Sequence, residues 1–211
     1  AIKRLDIRSA ASPETIGPAS KDMRGGAWSP SDVILYSLPG NAGLSRIRAT
    51  GTENARVNLK GSAVDFETAR WPSFLPDGSR FLFLTRGNAE QKGVYIGSLG
   101  DSGARRLAGT DWGAQYASGY LLLLRGSALT AQPFDPIRRE LAGQAQPLSI
   151  EAGGPTLYHG ALVGASPDVL AYSAAPIVLG DPISAIAEAG GDITVVNARE
   201  TQMWPRLSAD G

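Results

Sequence analysis

One turn recurs along this chain, and its spacing limits the fold more than any other feature. Ser29-Pro30-Ser31-Asp32, Leu75-Pro76-Asp77-Gly78, Ser166-Pro167-Asp168-Val169 and Ser208-Ala209-Asp210-Gly211 are variants of one punctuation. Their aspartates lie 45, 91 and 42 residues apart. The middle interval is close to two periods, so a unit between Asp77 and Asp168 has lost its marker; its turn is expected near Ala117-Ser118-Gly119. A repeat of about 40–45 residues suits one four-stranded propeller blade. Each turn residue has a physical task. Proline presets φ, aspartate accepts backbone N–H groups, and glycine supplies positive φ.

The residues after each turn agree with this unit. Val33–Tyr36, Phe81–Leu84, Tyr120–Leu124 and Val169–Tyr172 are continuously apolar. Such runs predict strands buried on both faces. Third strands are predicted at Leu44–Arg48, Val94–Leu99, Leu129–Phe134 and Ile193–Val196. More polar fourth strands are predicted at Arg56–Leu59, Ala104–Leu107 and Gln146–Ser149. Pro133 and Pro147 cannot donate to a ladder, which predicts edge positions. Arg138–Ala142 has the makings of one helical turn, and Ile183–Ala189 reads as a loop or short helix. The expected organisation is one propeller region over 1–211. It comprises the second half of a preceding blade (1–25), blades at 26–60, 71–110, 113–150 and 159–200, and the start of a following blade (203–211). Both ends fall in mid-unit, which predicts a piece of a longer protein. The unpaired strand edges predict self-association or poor solubility.

Composition narrows the partners. The 20 basic and 20 acidic residues balance, and the basic pairs are scattered, so no footprint for nucleic acid is present. The chain lacks cysteine, which removes disulfides and thiolate metal sites. The longest apolar run, Tyr120–Leu124, is too short for a helix to span a bilayer.

The motifs are then recognisable. Trp71-Pro72-Ser73-Phe74-Leu75-Pro76-Asp77-Gly78-Ser79-Arg80-Phe81-Leu82-Phe83-Leu84, with Gly93–Leu99 and Ala104–Leu107 after it, resembles the WD40-like (PD40) repeat of TolB-type bacterial β-propellers. Gly25–Pro30, Ala117–Leu122 and Ala131–Pro136 are similar to the subset that follows bacterial Ser/Thr kinase or winged-helix domains. The resemblance implies an all-β propeller fragment of about four complete four-stranded blades with partial blades at each end. It also implies a non-catalytic interaction or sensory module that presents loops to a protein or peptide partner, and an extracytoplasmic location. Such propellers have six to eight blades, so either flanking blades lie outside this chain or a small ring closes imperfectly.

Candidate chemistry is thin. Asp77 looks like an acid, but its copies at Asp32, Asp168 and Asp210 make it a turn-former. His159, Ser166 and Asp168 invite a triad reading, yet Asp168 belongs to a repeat turn and Ser166 lacks a nucleophile elbow. Asp101, Asp111 and Asp135 lie in loops where an oxygen-lined calcium site could form, without EF-hand spacing. Gly25-Gly26 and Gly153-Gly154 do not link a strand to a helix, so they are not phosphate loops. Trp28, Trp71 and Trp204 are expected to pack between blades. No catalytic, cofactor or metal residue is assigned. The alternative function is the propeller of a hydrolase or peptidase, which gates or lines an active site.

Overall fold

The apolar runs and turns fold into short antiparallel strands. A computed structural model describes residues 1–6, 12–20, 23–39, 42–60, 66–126, 128–151, 163–165, 169–172, 183–186 and 192–196. These residues group into two compact units, Ala1–Arg106 and Leu107–Gly211.

In the first unit, β1 (Ile2–Arg4) pairs with β2 (Glu14–Gly17). A four-stranded sheet follows: β3 (Gly26–Trp28), β4 (Val33–Ser37), β5 (Leu44–Arg48) and β6 (Ala55–Arg56), hydrogen-bonded in chain order. After a 3-10 turn at Phe66–Thr68 comes a second such sheet. Its strands are β7 (Arg70–Phe74), β8 (Arg80–Thr85), β9 (Gly93–Ser98) and β10 (Asp101–Ala108). Lys60 adds a parallel bridge to Gly103, so part of the outer edge of this sheet is covered by chain from the preceding one.

In the second unit, β11 (Gln115–Ala117), β12 (Tyr120–Arg125) and β13 (Ala128–Asp135) run in order. The outer strand is broken in two: β14 (Glu140–Leu141) pairs with Phe134 and Asp135, and β15 (Gln146–Glu151) pairs nearer the start of β13. The Gln132 amide spans the break and donates to the carbonyls of Ala142 and Gly143 (2.8 and 3.0 Å). The last sheet is β16 (Val163–Ala165), β17 (Leu170–Tyr172), β18 (Ile183–Ile186) and β19 (Asp192–Val196).

The cores lie between sheets. Leu35 and Leu44 of the first four-stranded sheet meet Phe81, Phe83 and Tyr95 of the second. Phe66 packs edge-on to Phe83 (5.6 Å) and Tyr95 (5.3 Å), a geometry in which ring edges meet ring faces. On the other side of β4, Ile34 and Tyr36 pack with Ile16 and Ile47. The strand therefore buries both faces, as its continuous apolar run predicts. In the second unit Leu122, Leu124 and Leu129 pack with Trp112 and Tyr172.

Three expectations about elements change. Ile183–Ile186 is a strand, paired with β17 and β19, and Asp192–Val196 becomes the fourth strand of its sheet. Ladder bonds to β17 outweigh the weak local signal of four residues. Residues 136–139 form a hairpin turn between β13 and β14, not a helical turn. Asp135 holds it by accepting the amides of Ile137 (2.8 Å) and Arg138 (2.9 Å). Pro133 sits in an inner strand: it pairs with Tyr120, and its carbonyl accepts the Ala142 amide. Its missing N–H coincides with the break between β14 and β15, so the ladder loses little.

Candidate functional site

The two proline turns of the first unit share a backbone design. In the β3–β4 hairpin the Asp32 amide donates to the Ser29 carbonyl (3.1 Å), and the Ser29 amide to Val33 (2.8 Å). In the β7–β8 hairpin the Gly78 amide donates to Leu75 (2.9 Å), and the Leu75 amide to Arg80 (2.8 Å). Asp32 and Gly78 both have positive φ, 59° and 66°. By geometry Asp32 therefore corresponds to Gly78, and Ser31 to Asp77. The sequence alignment of Asp32 with Asp77 is off by one, because the β7–β8 loop holds an additional residue, Ser79.

Their side chains work differently. Ser29 Oγ accepts the amides of Ser31 and Val33 (3.2 Å each). Asp77 Oδ1 accepts the amides of Ser79 and Arg80 (2.8 Å each), and Asp77 Oδ2 is paired with the Arg80 guanidinium. Partial burial pushes the Asp77 carboxyl up. The two amides and the Arg80 charge outweigh that and hold it below the ordinary aspartate value. Asp77 is thus a stable carboxylate spent on its own turn, not an acid poised to give a proton.

Gly78 brings this turn against the previous one. A Cβ there would lie 3.2 Å from Pro30 Cδ. Beside that contact is a cleft of ≈ 370 Å³, whose lining includes Arg46, Arg48, Glu53, Asp77, Ser79 and Leu99. Strand alternation builds its floor. Leu44, Arg46 and Arg48 share one face of β5. Leu44 enters the core, Arg46 is half-buried, and Arg48 reaches solvent. Arg48 Nε pairs with Glu53 (3.3 Å), and its Nη1 donates to the Ser31 carbonyl (3.2 Å). With Arg80 on Asp77, both carboxylates of the cleft are neutralised. Arg46 has no ion pair and its side chain no hydrogen bond among the described residues. Because Arg80 reaches Asp77 from outside the lining, Arg46 is the one cation lining the cleft without an ion pair among the described residues. Nothing in the sequence singles out Arg46. The pattern Leu44-Ser45-Arg46-Ile47-Arg48 puts it on the Leu44 face, but its isolation depends on a turn thirty residues away.

The tryptophans part company. Trp28 is 53% exposed, and its Nε1 donates to Asp32 Oδ1 (3.2 Å). It ends a three-residue strand and caps its own turn instead of packing between sheets. Trp71 is 5% exposed and does pack inside. It occupies a bulge: Arg70 pairs with Leu84 and Ser73 with Leu82, so Trp71 and Pro72 together face Phe83. Its φ is 47°, and its amide donates to the Arg24 carbonyl (2.7 Å). The bulge absorbs the donor that Pro72 lacks. Gly25 is needed here, because a Cβ would come within 2.7 Å of the Trp71 ring. Arg70 lies over that ring, 5.6 Å from its centroid. Burial, then the neighbouring Arg86 and Arg24, push the Arg70 guanidinium down from its ordinary value. Trp71 Nε1 is buried without a hydrogen-bond partner among the described residues.

The calcium reading gains no support. Asp101 Oδ1 accepts the Gly103 amide (2.9 Å), Asp135 is spent on its turn, and Asp111 is exposed. Among the described residues no three of His, Cys, Asp and Glu come together. His159, Ser166, Asp168, Gly153, Gly154, Trp204 and Asp210 lie outside the described residues.

No family model matches the sequence, and no curated protein is similar to it in sequence. Solved structures do match. A gluconolactonase from Xanthomonas campestris aligns with 85% of the chain at 15% identity and a TM-score of 0.59. TolB from Acinetobacter baumannii aligns with 86% at 20% identity, TM-score 0.55. A chain of a nidogen/laminin complex aligns with 85% at 14% identity, TM-score 0.57. The chain spans 63%, 45% and 65% of these three, less than two thirds of each. At such identities the likeness shows the fold alone. The antiparallel four-stranded sheets and these neighbours agree on it: the chain is all-β and folds as part of a β-propeller, similar to TolB.

Proposed function

We propose that this region is a non-catalytic interaction module of a larger bacterial protein, presenting turn ends to a protein or peptide partner. The observation that carries this reading is the cleft at the β3–β4 and β7–β8 turns. It is small, lined by apolar as well as charged side chains, and its carboxylates are already paired with Arg48 and Arg80. Such a site can hold a partner's side chain, but it lacks a group prepared to move a proton. Turns held by a scaffold are where binding residues concentrate. The one-region organisation over 1–211, with blades at 26–60, 71–110, 113–150 and 159–200, and the repeat-family membership belong to the same proposal.

The test is selection of short displayed peptides on the immobilised chain, alongside labelling with a serine-hydrolase activity probe. Saturable peptide binding without labelling supports the module. Covalent labelling at Ser166 would replace it with the hydrolase reading.

A further inference from the structure

Arg46 stands apart from the other guanidiniums of its cleft. Arg46 and Arg48 line the cleft opposite Glu53 and Asp77, and Arg80 joins Asp77 from outside the lining. Arg48 takes Glu53, Arg80 takes Asp77, and Arg46 is left over. It stands in the middle of β5, opposite Leu35 on one side and Ala55 on the other, two residues along the same face from Leu44 in the core. Partial burial raises the value of a matching anion, since a charge held in reduced contact with water gains more from a partner than a surface charge does. The planar guanidinium favours a two-pronged oxygen ligand.

We infer that Arg46 is a specificity-determining residue that receives a carboxylate from an acidic side chain of the peptide partner, in the cleft between the β5 face and the β7–β8 turn. The inference rests on the interaction reading above and names its ligand chemistry. A carboxylate fits better than a phosphate because Arg46 is the one lining cation without an ion pair among the described residues, and a dianion would be repelled more strongly by Glu53 and Asp77 across the same cleft. The volume of ≈ 370 Å³ is at the lower end for a ligand pocket. It suits one inserted side chain better than a cofactor.

Two measurements on the full chain test it. In the first, the Arg46 Nε–H resonance is followed by NMR during titration with N-acetylglutamate amide and with its glutamine counterpart. A saturable shift with the glutamate compound alone supports the inference; no shift, or equal shifts with both, overturns it. In the second, peptides selected by display are measured against wild type and Arg46→Gln. Acidic peptides should dominate the selection and bind Arg46→Gln about tenfold more weakly. Replacing their Glu by Gln should cost the same in wild type and nothing further in the variant. Peptides that bind both proteins equally would sink the Arg46 assignment and leave the interaction module standing. A preference for phosphopeptides would also overturn it. If no peptide binds at all, both readings fall.

Discussion

The β7–β8 and β11–β12 hairpins join a first strand to a second in two different ways. The β7–β8 turn uses proline, an aspartate that collects two amides, and a glycine pressed against the neighbouring sheet's turn. The β11–β12 turn uses two residues, Ser118 and Gly119, both with positive φ (45° and 85°), between the paired Ala117 and Tyr120. That is the tight hairpin whose twist matches the strands it joins. Among the described residues nothing lies within 4 Å of a Cβ placed on Gly119. The comparison separates two jobs. A hairpin can be closed by backbone geometry alone. A side-chain-stapled turn is needed where the turn must also form the wall of a cleft.

The contrast can be broken by substitution, the largest effect first. Gly78→Ala adds left-handed strain and a tight contact with Pro30, and should cost about 2 kcal/mol in denaturant unfolding. Gly119→Ala carries strain without the contact and should cost about 1 kcal/mol. Equal losses would show that the turn-to-turn contact contributes nothing.

Asp77→Asn should cost about 1 kcal/mol near neutral pH, because the charged acceptor and the Arg80 pair are lost from a partly exposed site. Its pH dependence follows from the lowered carboxyl value. A carboxyl held below its ordinary value stabilises the fold above that value, and this contribution is lost as pH falls through the lowered one. Wild type and Asp77→Asn should therefore differ most at neutral pH and converge in acid. A constant difference across that range would contradict the assignment. The smallest effect has the opposite sign: Ser118→Asn should raise stability by about 0.5 kcal/mol, since asparagine tolerates positive φ better than serine.

The same contrast explains what could be read from the sequence. Pro-Asp-Gly and the apolar strand after it are local signals that mark β8, and the repeat period with the apolar run Tyr120–Leu124 marks the turn near Ala117-Ser118-Gly119. Relations between sheets were not local. Asp32 and Asp77 look equivalent by eye, yet one holds positive φ and the other collects amides. Trp28 and Trp71 look alike as well, but a bulge and Gly25 bury one while a three-residue strand leaves the other in solvent. Ile183–Ile186 carries too little pattern to be told from a loop without β17 beside it. The candidate site was the least legible part. Arg46 becomes distinctive only when Glu53 and Asp77 are both seen to be occupied by other arginines.

Hydrogen–deuterium exchange of the chain with and without a selected acidic peptide tests the central claim most directly. The account predicts slowed exchange over 46–53 and 75–80, the β5 end and the β7–β8 turn, and no such slowing in Arg46→Gln at the same peptide concentration. Protection confined to other segments, or equal protection in both proteins, would contradict it.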